Sequence, residues 1–149
     1  MKKTLLVKGY RHTGIICQNL RKSVFFYKNL LGMKVIQDFW DNSDYINKIT
    51  ELKNANVHMV KLQMKSGEIL ELLSYPTHPT KLAKLPLYNV GVLHIALEVT
   101  NIDNMYKKLN KKIKFLSKPI ISSEKFAKVC FCLDPNNVRV ELVEILFKK

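Results

Sequence analysis

Asp134-Pro135-Asn136-Asn137-Val138-Arg139-Val140-Glu141-Leu142-Val143-Glu144 reads as a tight turn followed by a strand. It repeats in outline Ser66-Gly67-Glu68-Ile69-Leu70-Glu71-Leu72-Leu73. In both stretches a glutamate interrupts an apolar run at the same distance from the turn. Asp, Pro and Asn favour the turn, since Asn tolerates the left-handed region. Working outward, each turn closes an antiparallel hairpin. One runs from Val57 to Met64, turns at Lys65-Ser66-Gly67 and returns from Glu68 to Tyr75. The other pairs Lys128 to Leu133 with Val138 to Leu146.

Upstream of each hairpin the same order of signals recurs. Arg11 to Cys17 reads as a strand, and Asn19 as the cap of a helix carrying Leu20, Val24, Tyr27 and Leu31 at helical spacing, with Gly32 closing it. Met33 to Phe39 is a strand, and Trp40 to Ala55 is less regular. In the second half Val92 to Val99 is the strand, with Leu93, Ile95, Leu97 and Val99 expected on its packed face. Asn101 caps a helix with the stripe Ile102, Met105, Tyr106 and Leu109, and Ile113 to Leu116 is a short strand. Internal repetition of this kind predicts an α+β fold. The expectation is a single domain of two tandem βαβββ modules, about residues 8–75 and 90–146, joined by a proline-containing linker over 76–89. Their strands are expected to form a curved, cup-like mixed sheet with flanking helices.

Strand faces alternate with period two. His94, Ala96 and Glu98 oppose the packed face, and His12, Gly14 and Ile16 share a face in the first module. Aligning His12 on His94 also aligns Asn19 on Asn101. Each module therefore contributes one histidine from its first strand and one glutamate from its last. A carboxylate inside Ile69-Leu70-Glu71-Leu72-Leu73 or Val140-Glu141-Leu142-Val143 is costly to bury alone. One divalent cation held by His12, Glu71, His94 and Glu141 offsets that cost for both. Imidazole and carboxylate suit Zn, Ni, Co, Mn or Fe(II). His58 is expected in a structural or exposed role and His78 in the linker. Phe39, Trp40, Tyr45 and Met59 are candidate pocket walls.

Of the 149 residues roughly half are apolar, ample for a core, and the net charge is +13. Lysines are spread throughout, and the densest run, Lys107, Lys108, Lys111, Lys112 and Lys114, suits a solvated helix face. No nucleic-acid motif accompanies it, so a nucleic-acid partner is not expected. No apolar run reaches the ~20 residues of a membrane span, and residues 1–7 do not read as a secretory signal. Cys17, Cys130 and Cys132 form no disulfide framework; the last two should lie buried on one strand face. The expected location is the cytoplasm, with a small-molecule substrate as partner.

The segments Arg11 to Ile16, Phe26 to Met33 (Phe-Tyr-x-x-x-Leu-Gly-Met in its core), Ile69 to Leu72, Leu93 to Leu97 and Asp134 to Glu144 resemble the vicinal oxygen chelate superfamily. That superfamily includes glyoxalase I, methylmalonyl-CoA epimerase, extradiol dioxygenases, fosfomycin-resistance enzymes and metal-free bleomycin-binding proteins. Asn137 stands where the family usually has glycine. In metal-dependent members the ligands come from the first and last strands of each module, and His12, Glu71, His94 and Glu141 match those positions. The full quartet most resembles a glyoxalase I type site; epimerases typically carry glutamine as the second ligand. The resemblance implies a lyase or isomerase that transfers a proton beside a metal-bound carbonyl, with Glu141 or Glu71 as base. The alternatives it leaves are an Fe(II) extradiol-type dioxygenase, with Glu71 outside the coordination sphere, and a non-catalytic small-molecule-binding or resistance protein. It also implies a homodimer. The basic surface would suit an anionic or thiol-conjugated substrate, such as a glutathione adduct or CoA thioester.

Overall fold

A computed structural model describes residues 6–147. It is a mixed α+β structure in two compact units that divide between Pro79 and Thr80. Each unit has its own open sheet, and among the described residues neither sheet closes into a barrel.

The first unit contains β1 (Thr13–Ile16), α1 (Leu20–Val24), a π-helical turn over Phe25–Leu30, β2 (Lys34–Asp41), α2 (Asp44–Thr50), β3 (Val57–Gln63) and β4 (Ile69–Ser74). The sheet order is β1-β4-β3-β2. β1 runs parallel to β4, whereas β2, β3 and β4 are antiparallel. The Asn19 side chain accepts from Lys22 N at 3.0 Å, as an N-cap should. The helix then widens: Leu31 N donates to the Phe26 carbonyl five residues back. Gly32, at φ 81°, ends it in the left-handed region that glycine adopts freely. Ile15, Val60, Leu62, Leu70 and Leu72 alternate onto one buried face, and Phe26, Tyr27 and Met33 are buried too. Each fully buried leucine contributes roughly 1.5–3 kcal/mol.

The stretch expected to be irregular contains α2, and β2 runs on to Asp41. Asp41 Oδ1 accepts from Ser43 N at 2.9 Å, and the Ser43 side chain accepts from Ile46 N at 3.5 Å. The Ser43 hydroxyl, which donates to Asp41 Oδ1 at 2.6 Å, and then Ser43 N hold the Asp41 carboxyl below the usual carboxylate range. Ile46 is buried with Ala55, Val57 and Met59, and Leu52, Leu73 and Tyr75 pack against them. Met59 and Leu73 lie on the face opposite Leu70 and Leu72, so α2 covers one end of that second face.

The second unit contains β5 (His94–Glu98), α3 (Ile102–Leu109), β6 (Lys114–Phe115), β7 (Ile120–Ile121), β8 (Ala127–Leu133) and β9 (Arg139–Ile145). The sheet order is β5-β9-β8-β6, with β7 also on β8. β5 is parallel to β9 and β8 antiparallel to it. Leu97, Val140, Leu142, Cys130 and Cys132 form its buried face, and Ile102 and Leu109 of α3 are buried as well. Leu93, expected on the packed face, is 78% exposed because the strand starts only at His94. The Glu144 carboxylate accepts from Asn101 N at 2.8 Å and Ile102 N at 3.0 Å. An anion on free N–H groups at a helix start is favourable, and here it ties α3 to β9. In the hairpin, Asp134 Oδ1 accepts from Asn136 N and Val138 N, and Asn137 takes φ 63°. That is the left-handed conformation for which its family position usually carries glycine.

Candidate metal centre

Parallel pairing sets the geometry of each unit. In the first, Gly14 of β1 is level with Glu71 of β4. His12 lies two residues before Gly14, so it shares the face of Glu71. In the second, Ala96 of β5 is level with Glu141 of β9, and His94 lies two residues before Ala96. The registers of the two units are therefore equivalent at the glutamates, while His94 opens β5 and His12 stands one residue before β1.

Each unit brings its pair together. His12 Nε2 lies 3.2 Å from Glu71 Oε2, and His94 Nε2 lies 3.1 Å from Glu141 Oε2. Two ligands bound at about 2.1 Å and subtending roughly 90–110° stand about 3.0–3.4 Å apart. Both pairs fall inside that range, and imidazole with carboxylate is a donor set that divalent metals accept. Among the described residues no group of three or more His, Cys, Asp or Glu side chains assembles as a metal site. Each unit thus supplies a pair.

The surroundings of the pairs differ. The Glu71 side chain is 11% exposed and that of Glu141 22%. Lys61 faces Glu71 across the β3–β4 ladder, and its Nζ lies 3.5 Å from Glu71 Oε1. The same ammonium sits 5.6 Å from the centre of the Phe39 ring. Tyr75 is held above the ordinary phenol range by burial and then by the charge of Glu71. In the second unit the residue level with Glu141 on β8 is Phe131, which meets His94 edge to face at 5.6 Å. Arg139, level with His94, donates from Nη2 to the Leu85 carbonyl at 3.1 Å.

Lys61 and Tyr75 were not singled out in the sequence. A hairpin folded about Ser66 pairs 61 with 71, so the register alone could have found Lys61. Of the suggested walls, Phe39 and Met59 share the face of Glu71. Trp40 is on the opposite face, stacked on His58 at 4.2 Å, and Tyr45 is exposed. His58 Nε2 lies 2.6 Å from Asp38 Oδ1, away from the His12–Glu71 pair. His78 Nδ1 is 3.1 Å from Thr77 Oγ1. The thiols of Cys130 and Cys132 are free and buried, and burial is the main cause pushing them up to about 11 and about 12. They are inert core groups at neutral pH. The five lysines of and after α3 are exposed.

Residues 11–131 match the model of the glyoxalase/bleomycin resistance protein/dioxygenase superfamily. The chain belongs to that superfamily. It is 27% identical to the Bacillus subtilis protein YwkD over 144 residues, 94% of this chain and 99% of that one. It is 32% identical to the lactoylglutathione lyase of Schizosaccharomyces pombe over 143 residues, 89% of this chain but 46% of the lyase. A glyoxalase family protein from Bacillus cereus superposes with a TM-score of 0.85 at 20% identity, covering 98% of each chain. The superfamily so defined includes enzymes, glyoxalases and dioxygenases, beside resistance proteins. Among the described residues no helix is long and apolar enough to cross a membrane.

Proposed function

We propose that this superfamily member is a metal-dependent, glyoxalase-like lyase or isomerase. His12, Glu71, His94 and Glu141 would hold one divalent cation between them. The observation that carries the reading is the twofold occurrence of a histidine–glutamate contact at 3.1–3.2 Å, at equivalent register positions. The 32% identity to a lactoylglutathione lyase supports the choice of reaction class. The substrate is a small molecule with an enolisable carbonyl and the working form is a homodimer, as the family resemblance implies, and the expected location is the cytoplasm.

A cation bound by the quartet would polarise the substrate carbonyl as a Lewis acid. The protein's own part is proton transfer. Glu141 has His94 as its partner, whereas Glu71 is gripped by both His12 and Lys61. Glu141 is the more exposed of the two, so its Oε2 takes the proton beside the carbonyl and returns it to the neighbouring carbon or the opposite face. Glu71 stays in place. Phe39, on the face of Glu71 and partly exposed, presents apolar surface beside that carboxylate.

Protein reconstituted with Zn, Ni or Co is assayed with the methylglyoxal–glutathione hemithioacetal and, in parallel, with a 2-methyl-branched CoA thioester. Turnover of either, lost on chelation and without oxygen uptake, is the expected result. Absence of metal uptake, or turnover that survives chelation, contradicts the assignment. One observation favours a second reading: the Lys61–Glu71 contact can hold Glu71 back, leaving His12, His94 and Glu141 as the two-histidine, one-carboxylate set of Fe(II) oxygenases. Oxygen consumption with ferrous protein would select it.

A further inference from the structure

Lys61 is the cation that the fold does not require. Its counterpart in the second unit is Phe131, level with Glu141 as Lys61 is level with Glu71. Glu141 keeps its place on β9 with a histidine and an aromatic ring for neighbours; Glu71 has an ammonium in addition. The Lys61 side chain is 20% exposed, with Nζ over the Phe39 ring and 3.5 Å from Glu71 Oε1. Desolvating an ammonium is costly unless a negative charge compensates it.

In the metal-free protein that compensation is Glu71. The proposed function, on which this step rests, removes it. Two carboxylates and one divalent cation sum to zero, so once Glu71 serves a metal, Lys61 is left as an uncancelled positive charge. A half-buried ammonium beside a charge-balanced centre is an anion site. The contact with Glu71 also fixes where the anion goes, within one side chain of the ligand set. The remote carboxylates of a long conjugate do not meet that requirement; a carboxylate a few bonds from the reacting carbonyl does.

We propose that Lys61 is a specificity-determining residue that binds a carboxylate of the substrate close to its reacting carbon. The preferred substrates are compact oxo- or hydroxy-carboxylic acids or their close derivatives, rather than neutral carbonyl compounds. Phe39 confines the ammonium on one side by contact with the ring face, so the anion approaches Nζ from the side away from that ring.

The test compares lactate with lactamide, equal in size and different in charge. Binding is followed by NMR titration of the zinc-loaded full chain, and zinc affinity is measured separately by calorimetry. Wild-type protein is expected to bind lactate about tenfold or more tighter than lactamide, the range of a charge-assisted hydrogen bond. Lys61→Met is expected to lose that preference and leave lactamide binding and zinc affinity within about threefold, while Lys61→Arg keeps the preference. Equal binding of lactate and lactamide by zinc-loaded wild type overturns the inference. So does a Lys61→Met protein that still prefers lactate, which would make Lys61 a counter-ion of Glu71 only. Failure of wild type to take up zinc overturns the metal reading itself, and that outcome appears in the calorimetry before any lactate is added.

Discussion

The two units share a strand pair and differ in almost everything laid upon it. β1–β4 and β5–β9 place a histidine two residues from the point level with a glutamate, and both pairs close to the same separation. Around that common element the first unit adds α2 over Met59 and Leu73, a lysine on Glu71 and a deeper burial of the carboxylate. The second leaves the equivalent face half-exposed, with Phe131 against His94. The backbone register is thus the part that the repeat preserves. Charge and cover are where the modules differ, and the greater exposure of Glu141 is the ground on which it, rather than Glu71, is proposed as the base.

The equivalence is tested most severely in the cores. Leu72 and Leu142 are fully buried one position past the two glutamates. Replacing either by alanine is expected to cost about 2–5 kcal/mol, measured by urea unfolding. A near-zero loss at one of them would break the parallel between the units. Next, His12→Ala and His94→Ala are each expected to weaken zinc binding at least about 100-fold, beyond the usual effect of losing a group that only supports a ligand. Similar losses sharpen the comparison; a loss confined to one module breaks it.

Helix caps should show the divergence at smaller scale. Ser43→Ala removes the acceptor for Ile46 N and should cost about 0.5–2 kcal/mol. Asn101→Ala should cost at least as much: Glu144 continues to hold the start of α3, but Asn101 stands at φ 52°, where alanine is strained. Thermal denaturation of both variants measures this. The smallest effect concerns the second core alone. The Cys130 and Cys132 thiols are raised from 9.0 to about 11 and about 12 in the folded state. The stability they contribute is therefore full below about pH 9 and declines as pH rises through the folded values. Alkaline unfolding curves should fall over that window, and at pH 8 neither thiol should react with iodoacetamide until the protein unfolds.

Much of this was legible because period-two alternation exposes a polar residue in an apolar run. Glu71 and Glu141 stand out that way, and the repeat attaches a histidine to each. Other features leave little mark in the sequence, for identifiable reasons. α2 is only seven residues long, buries Ile46 while exposing Tyr45 and Ile49, and ends at Glu51 in the left-handed region, without a glycine to mark it. Its Ser43-Asp44 start was the available sign. Leu93 follows the strand pattern in sequence but precedes the strand in space. Trp40 and Phe39 are adjacent and therefore on opposite faces, so grouping them as walls of one pocket ignored the alternation that had found the glutamates. Lys61 was hidden by abundance: in so lysine-rich a chain only the hairpin register distinguishes it from its neighbours.

The central claim is that the two histidine–glutamate pairs serve a single cation. Equilibrium dialysis of the apo chain against zinc, with bound metal and protein quantified together, tests it directly. The account predicts one ion per chain, and its loss when either pair is removed by His12→Ala/Glu71→Ala or His94→Ala/Glu141→Ala. Two ions per chain, each abolished by its own double variant alone, or none in the unaltered protein, would contradict it.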